Sequence, residues 1–183
     1  NRLAPLPSVT MPWGEWKKIH PGTQILSRKQ AEVRRPPDYT SDPFAGDRYS
    51  NRLDDYKFPF LVDEAAIDTR LRPSEIAITL RVDELEKAYP VGRLGDAVVN
   101  DEINGEPVVV FSRQDGSYGQ GFSRTVDGRV LNFRLDDGEI TDEETGSAWD
   151  ISGNATSGQL EGSSLDLLTA RRAFWFSLAF AVP

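Results

Sequence analysis

Apolar and polar positions alternate most cleanly over 75–82, EIAITLRV, where Ile76, Ile78, Leu80 and Val82 share one side. Such a period of two predicts a half-buried strand. Downstream, four turn dipeptides recur at nearly even spacing: Asn104-Gly105, Asp115-Gly116, Asp127-Gly128 and Asp137-Gly138. Asn, Asp and Gly tolerate the positive φ of two-residue hairpin turns. Between these turns lie VVVFSR, YGQGFSRT and RVLNFRL, each long enough for one strand. The pattern predicts an antiparallel meander with strands at 97–103, 107–113, 118–125 and 129–135, then short strands near 139–142 and 147–151. EKAYP, just after 75–82, is a further short segment.

Helical signals are confined to two Trp-bearing stretches. Thr10 fits an N-cap with Pro12 near the first helical position, Trp13 and Trp16 share a face, and Pro21 stops the turn. The expectation is a short helix over about 12–19, then a short strand at Thr23 to Leu26. At the other end 173–183, AFWFSLAFAVP, is too poor in polar residues for a surface helix and should be buried. Leu3, Leu6, Trp13 and Pro21 fall on Leu165, Leu168, Trp175 and Pro183 at one constant offset. We read 1–21 as the tail of one repeat and 165–183 as the tail of the next, against the plainer reading of two unrelated helices.

Residues 28–60 follow neither period. Pro36, Pro37 and Pro43 break them, so a long loop is expected, yet one too aromatic for a disordered linker. Tyr39, Phe44, Arg48, Tyr49, Arg52 and Tyr56 resemble the composition of interface hot spots. They are the candidate partner-binding residues; the alternative is that the loop covers its own domain. The organisation expected is therefore 1–27 as the tail element of a preceding repeat, 28–60 as a long aromatic and Arg-rich loop, and 61–183 as an antiparallel β domain. The fold class is mainly β, the meander closing into a barrel or sandwich, with short helices near the two Trp segments.

Composition narrows the chemistry. The chain has 183 residues, no Cys and one His, with 29 acidic against 21 basic residues and a net charge of −8. Without Cys there are no disulfides, thiolate catalysis or sulfur-ligated metals. One imidazole, His20, excludes a multi-His metal site within this chain, and its place in HPGT suits a helix end better than a catalytic base. The acidic balance disfavours a binder of nucleic acid phosphates. No stretch approaches the roughly 18–20 apolar residues of a spanning helix. The densest acidic cluster is Asp136, Asp137, Glu139, Asp142, Glu143, Glu144 and Asp150. Its spacing does not match a Ca²⁺ loop, so no metal and no cofactor are expected. In DEETGSAWD, Gly146 should form a corner, Trp149 fill the core, and Thr145, Ser147 and Asp150 bond backbone in the turns. Residue 1 is Asn, and a truncated or processed N-terminus is expected.

HPGTQILS at 20–27, DTRL at 68–71, KAYP at 87–90, VVND at 98–101, GEPVVVF at 105–111, DEETGSAWD at 142–150, GNATSGQLEGSSL at 153–165 and FWFSLAFAVP at 174–183 carry a resemblance. Together, and in order, they resemble the second half of a prokaryotic domain-of-unknown-function family, number 3179. The resemblance implies a two-repeat chain whose first half carries a CPxC-type cysteine pair, and an exported, extracytoplasmic location. It transfers no catalytic residue. The expected function is an uncharacterised extracytoplasmic β module with a binding or structural role, a subunit of a larger complex, its partner another protein or the missing N-terminal repeat. The alternative is a carboxylate-dependent hydrolase acting on glycans or esters.

Overall fold

The computed structural model describes residues 6–25, 50–58, 61–63, 67–113 and 118–181. In chain order they form α1 (Trp13–Ile19), α2 (Ser50–Asp54), β1 (Ile76–Val82), β2 (Leu85–Tyr89), α3 (Val91–Leu94), β3 (Ala97–Ile103) and β4 (Glu106–Ser112). These are followed by β5 (Gly119–Ser123), β6 (Thr125–Val126), β7 (Arg129–Val130), β8 (Phe133–Asp136) and β9 (Glu139–Asp142). The last are β10 (Ala148–Trp149), β11 (Ala155–Ser157), β12 (Ala170–Phe174) and α4 (Trp175–Ala181).

The protein is mainly β, and the named strands pair antiparallel within four sheets: β12-β1-β2, β3-β4-β5, β6-β7 and β11-β10-β9-β8. The expected turns do their work where they are described. Asn104-Gly105, Asp127-Gly128 and Asp137-Gly138 all take positive φ and join β3 to β4, β6 to β7 and β8 to β9. Asp115-Gly116 lies outside the described residues.

Among the described residues no closed barrel is found. Instead, apolar clusters lie between layers. Ile78, Leu80, Tyr89 and Val91 from the first sheet and its following helix meet Ile103, Val108 and Val110 of the second. On the other side of that second sheet, Val109, Phe111 and Phe122 meet Phe133, Ile140 and Trp149. The middle sheet is thus covered on both faces, which is why VVVF is a continuous apolar run rather than an alternation.

β5 makes this stacking close. Gly121 faces Leu80 and Gly119 faces Val91; a Cβ at either glycine would fall 2.2 Å from those side chains. Gln120 and Phe122 take the opposite face, with Gln120 donating to the Leu168 carbonyl at 3.1 Å. Glycine inside a strand here marks a close approach of backbone to a neighbouring layer.

Several expectations are corrected. β1 is buried on both faces, not one, because Ala77 and Thr79 lie under α4 and its surroundings at 0% and 5% exposure. The single strands expected over 118–125 and 129–135 are each split. Arg124 takes the chain out of the middle sheet, its guanidinium donating to the Leu131 carbonyl and the Asn132 side chain. Thr10 does not cap α1: Pro12 occupies that place and its carbonyl accepts from Glu15 and Trp16. Residues 23–25 form no strand, and Leu26 lies outside the described residues. The loop expected over 28–60 contains α2, anchored by buried Leu53 and by Asp54, which accepts from the Ser74 amide at 3.1 Å.

α1 and α4 occupy different settings. Both are seven residues long and begin at a Trp, but α1 buries no residue whereas Trp175 is 6% exposed. The strand leading into α4 has no counterpart among the described residues before α1. Val9, Met11 and Ile19 nevertheless pack against the second core, so the N-terminal segment docks on the domain. Among the described residues no helix is long and apolar enough to cross a membrane.

Candidate functional site

The acidic cluster is the densest polar feature of the sequence, and the structure gives it a structural occupation. Asp142 ends β9 and is fully buried. One carboxylate oxygen accepts from the Thr145 amide at 2.6 Å and its hydroxyl at 2.8 Å; the other accepts from the Ser147 amide at 3.2 Å and the Trp149 indole at 3.0 Å. Gly146 makes the expected corner at φ +67°. Ser147 extends the knot, its hydroxyl accepting from the Leu160 amide at 3.0 Å. That crossing requires Gly158, whose φ is +93° and whose Cβ, if present, would lie 2.8 Å from the Ser147 Cα.

A row of rings leads inward from this knot: Trp149 on Phe133, Phe133 on Phe111, Phe111 on Phe122, with centroids 5.2–5.6 Å apart. Asp150 is also spent locally, accepting from the amides of Ser152 and Asn154. Glu144 accepts from the backbone and side chain of Asn132. Among the described residues no group of His, Asp or Glu could hold a metal ion.

His20 closes α1, its amide donating to the Trp16 carbonyl at 2.8 Å while its ring lies 4.3 Å from the Trp16 ring. It borders a wide opening of about 780 Å³ with Lys18, Arg113, Glu139, Asp150 and Asn154. The imidazole makes no hydrogen bond among the described residues, so no triad is assembled there.

Of the six expected partner-binding residues, Tyr39, Phe44, Arg48 and Tyr49 lie outside the described residues. Arg52 and Tyr56 are exposed, Tyr56 at 45%. From Tyr56 an aromatic row runs through Phe58 to Phe176, which stacks on Phe174. The end of the loop therefore leans on the strand and helix that close the chain.

A cleft of about 530 Å³ opens on the outer face of the first sheet, beside α4. Thr79 and Ala88, paired across β1 and β2, form its floor. Trp175, Leu178 and Leu71 supply apolar walls, and Arg70 and Glu86 its charged margin. All the lining residues except Thr79 and Glu86 come from the DTRL, KAYP and FWFSLAFAVP blocks. Those blocks converge because β1 pairs with both β2 and β12. Arg70 lies 5.1 Å over the Trp175 ring and is ion-paired with Asp68, whose carbonyl accepts from the Trp175 indole at 3.3 Å. The Arg70 guanidinium, outweighing partial burial, holds the Asp68 carboxyl below its ordinary range.

On the opposite face of the first sheet, beside Leu80 and Tyr89, Lys87 reaches Asp101 on β3 at 2.6 Å, and Tyr89 donates to the same oxygen at 2.8 Å. Burial alone would raise the Asp101 carboxyl, but Lys87, the Glu102 amide and the Tyr89 hydroxyl together hold it low. Burial, aided by Asp101, pushes the Tyr89 hydroxyl well above its usual range. A carboxyl that titrates lower in the folded chain stabilises above its unfolded value, about 4, and that stability is lost as pH falls through the folded value. The melting temperature should accordingly drop on acidification from pH 5 towards 3. In melts across that range Asp101→Asn should be less stable than wild type at pH 6, with the gap closing at the acid end.

No significant match to the chain is found among curated proteins or among solved structures. One family model, described as a protein of unknown function (DUF3179), matches residues 1–183, and the protein belongs to that family.

Proposed function

We propose that the protein is a non-catalytic extracytoplasmic binding module that works as a subunit of a larger complex. The observation that carries this reading is the commitment of its acids. Asp142, Asp150 and Glu144 accept from backbone amides and neighbouring side chains, Glu75 pairs with Arg93, and Asp101 with Lys87 and Tyr89. A carboxylate hydrolase needs two acids facing a substrate about 5–10 Å apart, one of them poised to give up or take a proton.

A binding role is supported by the exposed residues and the cleft beside α4. Arg52 and Tyr56 stand exposed beside the Phe58 to Phe174 row, and the Trp175 cleft opens on the same closing helix. We read α1 and α4 as closing helices of two repeats, which would make the preceding repeat one natural partner. We infer an exported location from what the family resemblance implies.

The alternative, a hydrolase acting on glycans or esters, would draw on Glu86 at the cleft margin, which Arg171 holds at 3.3 Å, or on Glu139 at the wide opening beside His20. Assays of the purified chain on nitrophenyl esters and glycosides decide between the two. We expect no turnover above buffer; turnover that disappears in Glu86→Gln or in Glu139→Gln would replace the binding reading with the enzymatic one.

A further inference from the structure

The turn between β3 and β4 joins two groups that can react with each other. Asn104 and Gly105 are both exposed, and a Cβ at Gly105 would meet nothing within 4 Å, so water reaches the pair freely. Asn104 sits at φ +54° and Gly105 at φ +78°, the positive values of a primed hairpin turn. Hairpins accept type II′ as well as type I′, and the two differ mainly by a flip of the central peptide. In II′ the first residue keeps φ near about +60° while its ψ moves to about −120°. That rotation eclipses the Asn104 Cβ with the Gly105 amide nitrogen and brings the nitrogen towards the Asn104 side-chain carbonyl carbon.

Asn100, Asn132 and Asn154 lack this arrangement. None precedes glycine, and each is held at both ends of its side chain: Asn100 by the Phe133 backbone, Asn132 between Glu144 and Arg124, Asn154 between Asp150 and Ser164. Asn104 makes one bond among the described residues, its Nδ2 donating to Asp83 Oδ2 at 3.0 Å. Asp83 lies in the β1–β2 turn at φ +52°, so the contact clasps the tip of the first sheet to the tip of the second.

We propose that Asn104 is a site of spontaneous deamidation and that the reaction opens this clasp. The Gly105 amide nitrogen, deprotonated by hydroxide, bonds to Asn104 Cγ; the Cγ–Nδ2 bond breaks and ammonia leaves, giving a cyclic imide. Water then opens the imide at either carbonyl, leaving aspartate or isoaspartate. One water is consumed and one ammonia released. A carboxylate now stands where Asp83 had a donor, so attraction becomes a salt-screened repulsion between the two tips.

Ageing the full chain in neutral and in mildly alkaline buffer, followed by tryptic peptide mapping, tests the site. The peptide 94–113, cut after Arg93 and Arg113, carries Asn100 as an internal control. Acid should form at Asn104 at least tenfold faster than at Asn100, in proportion to hydroxide, and not at all in that turn in Asn104→Gly, where Gly-Gly keeps a primed hairpin. Amide exchange at Leu85, which pairs with Val82 to close the β1–β2 turn, tests the clasp. Asn104→Asp should speed it at least threefold at low salt and less at high salt. Adding Asp83→Asn to that variant restores one donor and one acceptor and should return exchange to the wild-type rate. Acid at Asn104 no faster than at Asn100 would overturn the site. Wild-type exchange in Asn104→Asp, or no recovery in the double variant, would overturn the clasp.

Discussion

Asp142→Ala is expected to lower the unfolding free energy by about 3–5 kcal/mol, since each buried donor left without an acceptor costs about 1–3 kcal/mol. Four donors would lose this carboxylate at once: the Trp149 indole, the Ser147 amide, and the amide and hydroxyl of Thr145. Asp142→Asn should rescue little. Both carboxylate oxygens accept hydrogen bonds, so either orientation of an amide turns its NH₂ towards a donor. Urea denaturation reads the effect, with Asp137→Asn on the exposed β8–β9 turn as a control expected to stay within about 0.5 kcal/mol. If Asp142→Ala matched that control, the acidic cluster would not be structural, and the main support for a non-catalytic reading would go with it.

Gly121→Ala is the second large effect. The new methyl would lie 2.2–2.8 Å from the end of Leu80, a side chain with no exposure and no room to turn. Overpacking of this kind costs about 1–3 kcal/mol and sometimes more. Gly119→Ala should act similarly through Val91, a β-branched residue with few rotamers. Thermal melts should place both variants well below wild type, and below Gly92→Ala, where nothing lies within 4 Å of the added methyl. A melt of Gly121→Ala that overlaid wild type would mean that the first and second sheets do not meet at β5.

Local chemistry was the legible part of this sequence. Hairpin turns such as Asn104-Gly105 carry their own φ preference, and β3, between its turns, falls at the expected 97–103. The structural reading of DEETGSAWD was available for the same reason, with Gly146 at the corner and Trp149 in the core. Its hub was not. Nothing near Asp142 distinguishes it from Glu143 or Asp136 until β9 and β10 pair and bury it.

Layering was illegible for a related cause. A run such as VVVF fits a strand in a barrel or between two sheets equally well, because which surface covers each face depends on contacts distant in sequence. The glycines of YGQGF were the available hint that something lies close to β5. The Trp175 cleft was harder still: Arg70, Thr79, Glu86 and Trp175 become neighbours only when β12 closes against β1. The aromatic loop drew attention by composition, and its described end, Arg52 and Tyr56, is indeed exposed, but Leu53 shows that the same stretch also serves the domain's own packing.

We propose that the molecule binds through the face closed by α4 while its acidic corner holds the fold. Mapping a neutral aromatic probe, phenol, onto the amide and indole resonances of the labelled chain tests this most directly. The predicted result is saturable shifts at Thr79, Ala88 and the Trp175 indole, with the Trp149 indole and the Ser147 amide unmoved. Shifts concentrated at Trp149, Asp150 and His20, with Trp175 silent, would contradict it.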